Sequence, residues 1–433
     1  MSAPSTGSPG TRGTRGARIG PFRHRPFLVY WTGGLVSNIG TWLQAVAASV
    51  FVYQLTGSAF AVGVLNFASF LPITLFSVYG GALADRHDRR RIVIVTHAIS
   101  GVIALGLGIV AVAGGAGELA VIVVGFLLNT AYAIAKPSLI ALLPALIPRD
   151  ELADAVSLNT LQFIIGQLAG PVLASIVIAT AGPAPAFLLN AFTYLAPIAA
   201  MLYLRRQDIG AALTPRGKGG AAGGAPQGVG GYIREHVWIG AMLIAVVCTS
   251  AAMEIVRTTA PALAVEQLRA DESIAGLIVA AQSTGSALGV LVFVPLRKRG
   301  LTRRVALVAM LIQGAGLIGI AGSHLLGLTL LSAGLVGLGF SLCFPSLTGD
   351  LQMGVEERMR GRVMSVHQVA HLGNRPVTAL IVGSLAAAFG VPAAALAGLL
   401  LIPVGNTMMR RGWRLFDRSR AAEPPPGTDV APA

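Results

Sequence analysis

Apolar runs of membrane-crossing length recur along the chain, and this constrains its fold more than any other feature. A helix needs roughly 20 predominantly apolar residues to cross about 30 Å of hydrocarbon. Runs that meet this length occupy 27–55, 59–84, 91–114, 118–146, 152–180, 184–205, 236–264, 273–296, 302–322, 325–349, 362–388 and 391–411. Proline and glycine interrupt some of them, near Pro137 and Pro144, near Pro261 and at Pro376. Spanning helices tolerate such residues because neighbours re-satisfy the freed backbone groups. With 54% hydrophobic and only 12% charged residues, the chain is no soluble globule. An all-α membrane protein with twelve transmembrane helices is expected.

The charge pattern then fixes an expected topology. A net charge of +14 would suggest nucleic acid if it formed a patch on a soluble domain, but here it follows the loops. Apart from Lys136, Arg257, Arg269 and Arg375, every one of the 32 Lys and Arg lies before Pro26, in alternate loops or at the run ends that border them, or from Arg410 onward. The opposite loops carry only Arg269. The positive-inside rule places both termini in the cytoplasm, with the chain multi-pass in a cell membrane and no nucleic acid as partner. Residues 1–26 have no apolar core, so they read as a disordered cytoplasmic arm rather than a signal peptide. Cys248 and Cys343 both fall inside apolar runs, which leaves no disulfide framework and no CxxC metal site. Arginine far outnumbers lysine, and Ala and Gly are abundant, a bias associated with GC-rich bacterial genomes.

The apolar runs divide into six and six around "TPRGKGGAAGGAPQGVGG", a Gly-rich flexible linker. The expected organisation is an arm over 1–26, a first bundle over 27–205, a linker over 206–235, a second bundle over 236–411 and a cytoplasmic tail over 412–433. Internal duplication is visible across that linker. "KPSL" at Lys136 to Leu139 is matched by "FPSL" at Phe344 to Leu347, and at the same offset "ADAVSLN" from Ala153 meets "GRVMSVH" from Gly361. "PLRKRGLTRRVAL" lies between the eighth and ninth runs where "LADRHDRRRIVIV" lies between the second and third. Two similar bundles facing one another enclose a cleft near the bilayer midplane.

Gly81-Ala82-Leu83-Ala84-Asp85-Arg86, followed by Arg89 and Arg90, resembles the signature loop of the major facilitator superfamily. Asp88 stands where a glycine is commonest. The residue types have physical reasons: small residues permit close helix approach, Asp85 can face a helix N-terminus, and the arginines stay at the lipid surface. Arginines alone would indicate only an ordinary positive-inside loop. The resemblance implies a conformational latch of Gly81, Asp85, Arg86, Arg89 and Arg90, with the aspartate contacting the start of the eleventh helix in the outward-facing state. The second copy has Lys298 at the place of Asp85, so that half is expected to lack the latch. "LQMGVEERMRGRVMSV" from Leu351, above all "RGRVMS" at Arg360 to Ser365, resembles the exporter branch that includes the bacterial enterobactin exporter and the macrolide efflux proteins. "GQLAGPVLAS" at Gly166 to Ser175 resembles a Gly-Pro motif associated with antiporters, with Ala174 and Ser175 in place of its closing glycines. Close helix packing alone also produces such a face.

Ionisable residues inside spans are costly and are functional candidates by default. Glu254 and Arg257 lie three apart in the seventh run, so they share a helix face and can neutralise each other. This pair is the candidate for proton coupling; a static structural ion pair is the competing reading. Lys136 lies toward the cytoplasmic side of the fourth run, where it can snorkel or attract an anionic substrate. His367, His371 and Arg375 fall at i, i+4 and i+8, one polar stripe; no acid at matching spacing completes a metal site. Asn38, Gln44, Lys136, Gln282, His371 and Arg375 are the candidate cleft residues. Asn66, Asn129, Gln162 and Gln313 are further polar positions, each a substrate contact or a helix-to-helix hydrogen bond.

No GxxxxGK[ST] loop accompanies a nucleotide domain, and no hydrolase constellation is present within the runs. An enzyme is not expected, and neither is a cofactor. The expected function is a secondary active, proton-coupled exporter of an amphipathic small molecule, siderophore-like or macrolide-like, working as a monomer with substrate, protons and membrane lipid as partners. The alternatives are a non-transporting sensor or scaffold on the same fold, or an importer of a small metabolite.

Overall fold

A computed structural model describes residues 20–206 and 228–422. Most of the expected arm, linker and tail, at 1–19, 207–227 and 423–433, lies outside the described residues. The flanking parts depart from those expectations. Gly20–Arg23 forms a 3-10 turn that buries Pro21, Val229–Glu235 forms a short helix, and the last helix runs on to Ala422. The physical reason is amphipathicity. Val229 and Tyr232 are buried, as are Met409 and Trp413, while Arg410, Arg411 and Arg414 face outward.

Among the described residues the fold is entirely helical. The first bundle comprises α1 (Arg25–Thr56), α2 (Ala59–Arg86), α3 (Arg89–Val112), α4 (Glu118–Leu142), α5 (Leu152–Ala181) and α6 (Pro185–Arg206). The second contains α7 (Val237–Ala262), α8 (Ile274–Lys298), α9 (Thr302–Gly322) and α10 (Leu326–Gly354). After α10 an unbroken helical stretch, Glu357–Ser419, is too long for one crossing. It turns at Gly390, where φ is 83° and ψ is 166°, a left-handed conformation that favours glycine. This turn yields α11 (357–389) and α12 (391–422), so the eleven helices counted by length make twelve spans.

The duplication is visible in three dimensions. Pro137 lies inside α4 and Pro345 inside α10. Arg90 reaches the last turn of its bundle's sixth helix, donating to the Leu204 carbonyl at 3.1 Å. Arg303, at the matching place in the first turn of α9, reaches the end of α12 through Asp417 at 2.8 Å. Each arginine ties a basic loop to the final helix of its own half.

The two ends of the molecule differ in how the bundles meet. At the end away from the Arg86–Arg90 loop, one apolar core runs through both halves, from Val50, Val62 and Ile178 to Ile255, Ile278 and Val382. Backbones nearly touch there: a Cβ added to Gly63 would lie 2.7 Å from the Ala379 carbonyl oxygen, and one added to Gly383 would lie 2.8 Å from that of Ala59. Tyr53 donates to Glu266, Gln54 to Glu272, and Ser175 to the Ser273 carbonyl at 2.6 Å. At the basic end the core splits into two separate clusters, one around Phe27, Leu142 and Met201 and another around Trp238, Met242 and Leu347. The molecule is therefore closed at the opposite end and parted at the basic end.

Candidate functional site

Between the bundles, from mid-span toward the closed end, a cavity is lined by Trp42, Val46, Asn66, Phe70, Glu254, Arg257 and neighbouring small residues. Its chemistry begins with α7. Of the residues in that helix's most apolar stretch 83% are buried, against 56% in α1, its counterpart in the first bundle. Two amides clamp it. Gln282 of α8 donates to the Met253 carbonyl at 2.8 Å. Gln313 of α9 donates to the Thr249 carbonyl at 3.0 Å and accepts from the Thr249 hydroxyl at 3.0 Å. Buried amides must find partners, and here they hold the helix that carries the charges.

Glu254 is 1% exposed. Its partner is not Arg257, as the three-residue spacing suggests, but Arg375 of α11. Arg375 donates through Nε and Nη2 to the same oxygen, Oε2, each at 2.9 Å. The Arg375 guanidinium also lies 4.1 Å from the centre of the Phe70 ring of α2. Arg257 turns elsewhere: its Nε donates to Gln282 Oε1 at 3.3 Å, and its guanidinium stands 4.9 Å from the Trp42 ring centre. Helix spacing shows which residues share a face but not what another helix aims at that face. Glu254 Oε1 is left buried without a partner.

The expected stripe on α11 is modified. A π-helical turn at Val369–Gly373 separates His367 from Arg375, directly before Pro376, whose missing N–H and ring disrupt ordinary helix hydrogen bonding. His367 bonds Thr348 of α10 at 3.1 Å, and His371 bonds Ser250 of α7 at 2.8 Å while packing 4.4 Å from the Phe344 ring. A second π-helical turn, Leu263–Gln267, follows Pro261 in α7.

Two expected cleft residues point into the first bundle instead. Asn38 donates to Gln162 of α5 at 3.1 Å, and Gln44 accepts from Asn190 of α6 at 2.5 Å. The polar pattern alone could not tell a cleft face from a helix contact. Lys136 packs over Tyr132, 5.6 Å from the ring centre, and is not among the residues lining the cavity. Gln282 lies beside the cavity, occupied by Arg257 and Met253. Trp42 and Phe70 were not singled out from sequence. Trp42 carried a signal, since tryptophan in a spanning helix favours the interfaces and this one stands well inside α1.

In the signature loop, Arg89 donates to the Ala84 carbonyl at 3.4 Å and the Ala141 carbonyl at 3.1 Å. Cations at helix C-termini are favourable. Asp88 caps α3 by accepting from the Arg90 backbone N–H at 2.8 Å. Burial raises its carboxyl, but the Arg90 side chain and backbone outweigh that and leave it below its ordinary value. Asp85 and Arg86 are exposed, and Asp85 forms no hydrogen bond or ion pair with the described residues. No Cβ contact constrains Gly81. Among the described residues no cluster of His, Cys, Asp or Glu could hold a metal ion.

Two six-helix bundles around a mid-span cavity define the transporter fold of the major facilitator superfamily. The family described as transmembrane secretion effectors matches residues 16–423, and the chain belongs to it. It is 26% identical over 425 residues to the enterobactin exporter EntS of Citrobacter koseri, covering 94% of this chain and 96% of that protein. Shorter matches are to the staphyloferrin A transporter of Staphylococcus aureus, 27% identical over 40% of this chain and 44% of the relative, and to macrolide efflux protein A of Streptococcus pyogenes, 29% over 35% and 38%. The chain thus spans less than half the length of those two relatives. Among solved structures, a bacterial homologue of the lysosomal transporter Spinster in an inward-facing, occupied conformation superposes with a TM-score of 0.71 at 12% identity, covering 92% of this chain and 98% of that one. A bacterial homologue of the iron transporter ferroportin in an inward-facing state gives 0.70 at 14% identity, covering 90% and 98%. At such identity these two establish the fold alone. The family and the curated relatives are membrane transporters, not enzymes.

Proposed function

We propose that the protein is a secondary active exporter of an amphipathic, neutral or anionic small molecule, siderophore-like or macrolide-like, coupled to protons through Glu254. The observation that carries this reading is the Glu254–Arg375 pair beside a cavity between the two bundles. A buried ion pair with one oxygen unpartnered is a two-state element: a proton on the carboxyl cancels its charge and releases Arg375. The basic end is read as cytoplasmic, which makes the conformation inward-facing and both termini internal. The relatives' roles in siderophore and macrolide movement support the substrate class.

Reconstituted protein tests the reading. Glu254→Gln is expected to abolish uphill transport under an imposed pH gradient while preserving substrate binding and downhill exchange. Normal pH-driven accumulation by this variant would make Glu254 structural. Substrate identity is approached by following secreted metabolites of a deletion strain by mass spectrometry. For orientation, Gly300→Cys should label from inside and Asp271→Cys from outside.

A further inference from the structure

The cavity is lined by two ionisable residues, Glu254 and Arg257, and their charges do not cancel each other. The Glu254 carboxylate is engaged twice by Arg375, which arrives from α11. That pair is neutral as a unit. Among the described residues Arg257 has no ion pair, and of its donors only Nε is engaged, by the neutral amide of Gln282 at 3.3 Å. Its terminal nitrogens have no hydrogen-bond partner among the described residues. A guanidinium has five donors in a planar fork suited to carboxylate and phosphate, so the two terminal nitrogens are an unfilled half of that fork. Lys136 is not among the cavity-lining residues.

The surroundings hold the fork in place and restrict what can approach it. Trp42 packs on the guanidinium at 4.9 Å, Gln282 fixes Nε, and Phe70 packs on Arg375 at 4.1 Å. The remaining wall is apolar or small: Val46, Ala260, Pro261 and Val279, with Asn66 bonded to Thr258 at 3.3 Å. An unpaired charge in a low-dielectric site is costly until a counter-charge arrives.

We infer that Arg257 is the specificity-determining residue of this cavity and that its ligand is an amphipathic monoanion, whose acidic group docks on the open side of the guanidinium while its apolar or aromatic body packs against Trp42 and Phe70. The inference rests on the transporter reading for the ligand's fate but not for its binding. A cation would face Arg257 directly and would have to break the Glu254–Arg375 pair to find a carboxylate. A neutral molecule of the same shape gains the apolar contacts but leaves the fork unfilled.

Three probes of one shape and different charge test this: 1-naphthoate, 1-naphthylmethanol and 1-naphthylmethylammonium, titrated calorimetrically into the full-length protein in neutral detergent micelles. One charge-assisted hydrogen-bond pair implies that naphthoate binds about tenfold tighter than the alcohol or more, with the ammonium weakest. Arg257→Gln should make the carboxylate and the alcohol bind alike, and Arg257→Lys should retain part of the preference. Equal binding of all three probes to the unmodified protein, no binding of any, or a preference that survives Arg257→Gln would each overturn the assignment; the first two need no variant to fold. Efflux of naphthoate from proteoliposomes is the separate arm. Charge-selective binding without efflux would overturn the exporter reading and leave the anion site standing.

Discussion

In the first bundle the amides tie its own helices together, Asn38 to Gln162 across α1 and α5 and Gln44 to Asn190 across α1 and α6. In the second bundle Glu254, Arg257, His371 and Arg375 converge on and around α7. One half therefore offers the cavity aromatic and amide walls, Trp42, Asn66 and Phe70, while the other supplies all of its charge. The two π-helical turns also fall in the second half, beside Pro261 and Pro376. Duplication preserved the helix order, the prolines of α4 and α10, and the arginine ties to α6 and α12. It did not preserve the chemistry facing the cleft. A repeated scaffold needs the same packing in both copies, but a site between the copies needs each wall only once.

The largest effect expected from this asymmetry follows removal of Arg375. Arg375→Gln strands a buried acid and should cost about 3 kcal/mol or more, whereas Gln44→Leu in the first bundle should cost about 1 kcal/mol. Thermal unfolding in detergent at one pH compares them. The double variant Glu254→Gln/Arg375→Gln should recover much of the loss, and equal losses in both bundles would contradict the comparison. Next in size is the consequence of freeing Arg375. Glu254→Gln leaves the Arg257 contacts to Gln282 and Trp42 in place, so naphthoate binding should be retained; a fall of about tenfold or more would show that Glu254 itself holds the ligand.

A third measurement contrasts the two ends. A Cβ at Gly63 or Gly383 would meet backbone, so alanine at either position should wedge the closed end apart. Distances by spin labels across α2 and α11 should lengthen there. Asp85→Asn acts at the parted end, where Asp85 has no partner in this conformation. It should favour the basic-end-open state without lowering the melting temperature and should impair transport. Replacing Arg89, which donates to Ala84 and Ala141, should lower both transport and stability. Unchanged distances with full transport would leave the loop a purely positional role.

The smallest effect concerns the α3 cap. Asp88→Ala should cost about 0.5–1 kcal/mol. Because the folded carboxyl sits below its ordinary value, the stabilisation is present above the unfolded value, about pH 4, and is lost as pH falls through the lower folded one. Melting curves between neutral and acid pH should therefore converge for this variant and the unmodified protein.

The sequence by itself determined the twelve spans, the division into halves, the loop chemistry and which residues were candidates for the cleft. Each follows from local quantities: run length, basic residues per loop, and repeats at one offset. It also placed Glu254 and Arg257 on one face of α7, which is a property of a single helix. Only the tertiary structure decided that Glu254 pairs with Arg375 from α11 and that Arg257 faces Trp42 from the other bundle. It also decided that Asn38 and Gln44 turn inward and that the bundles meet at one end and part at the other. The physical reason is that partner choice for a buried charge depends on which helices lie beside it and how their side chains are aimed. Residues 121 apart in the chain acquire that relation only once the bundles have packed.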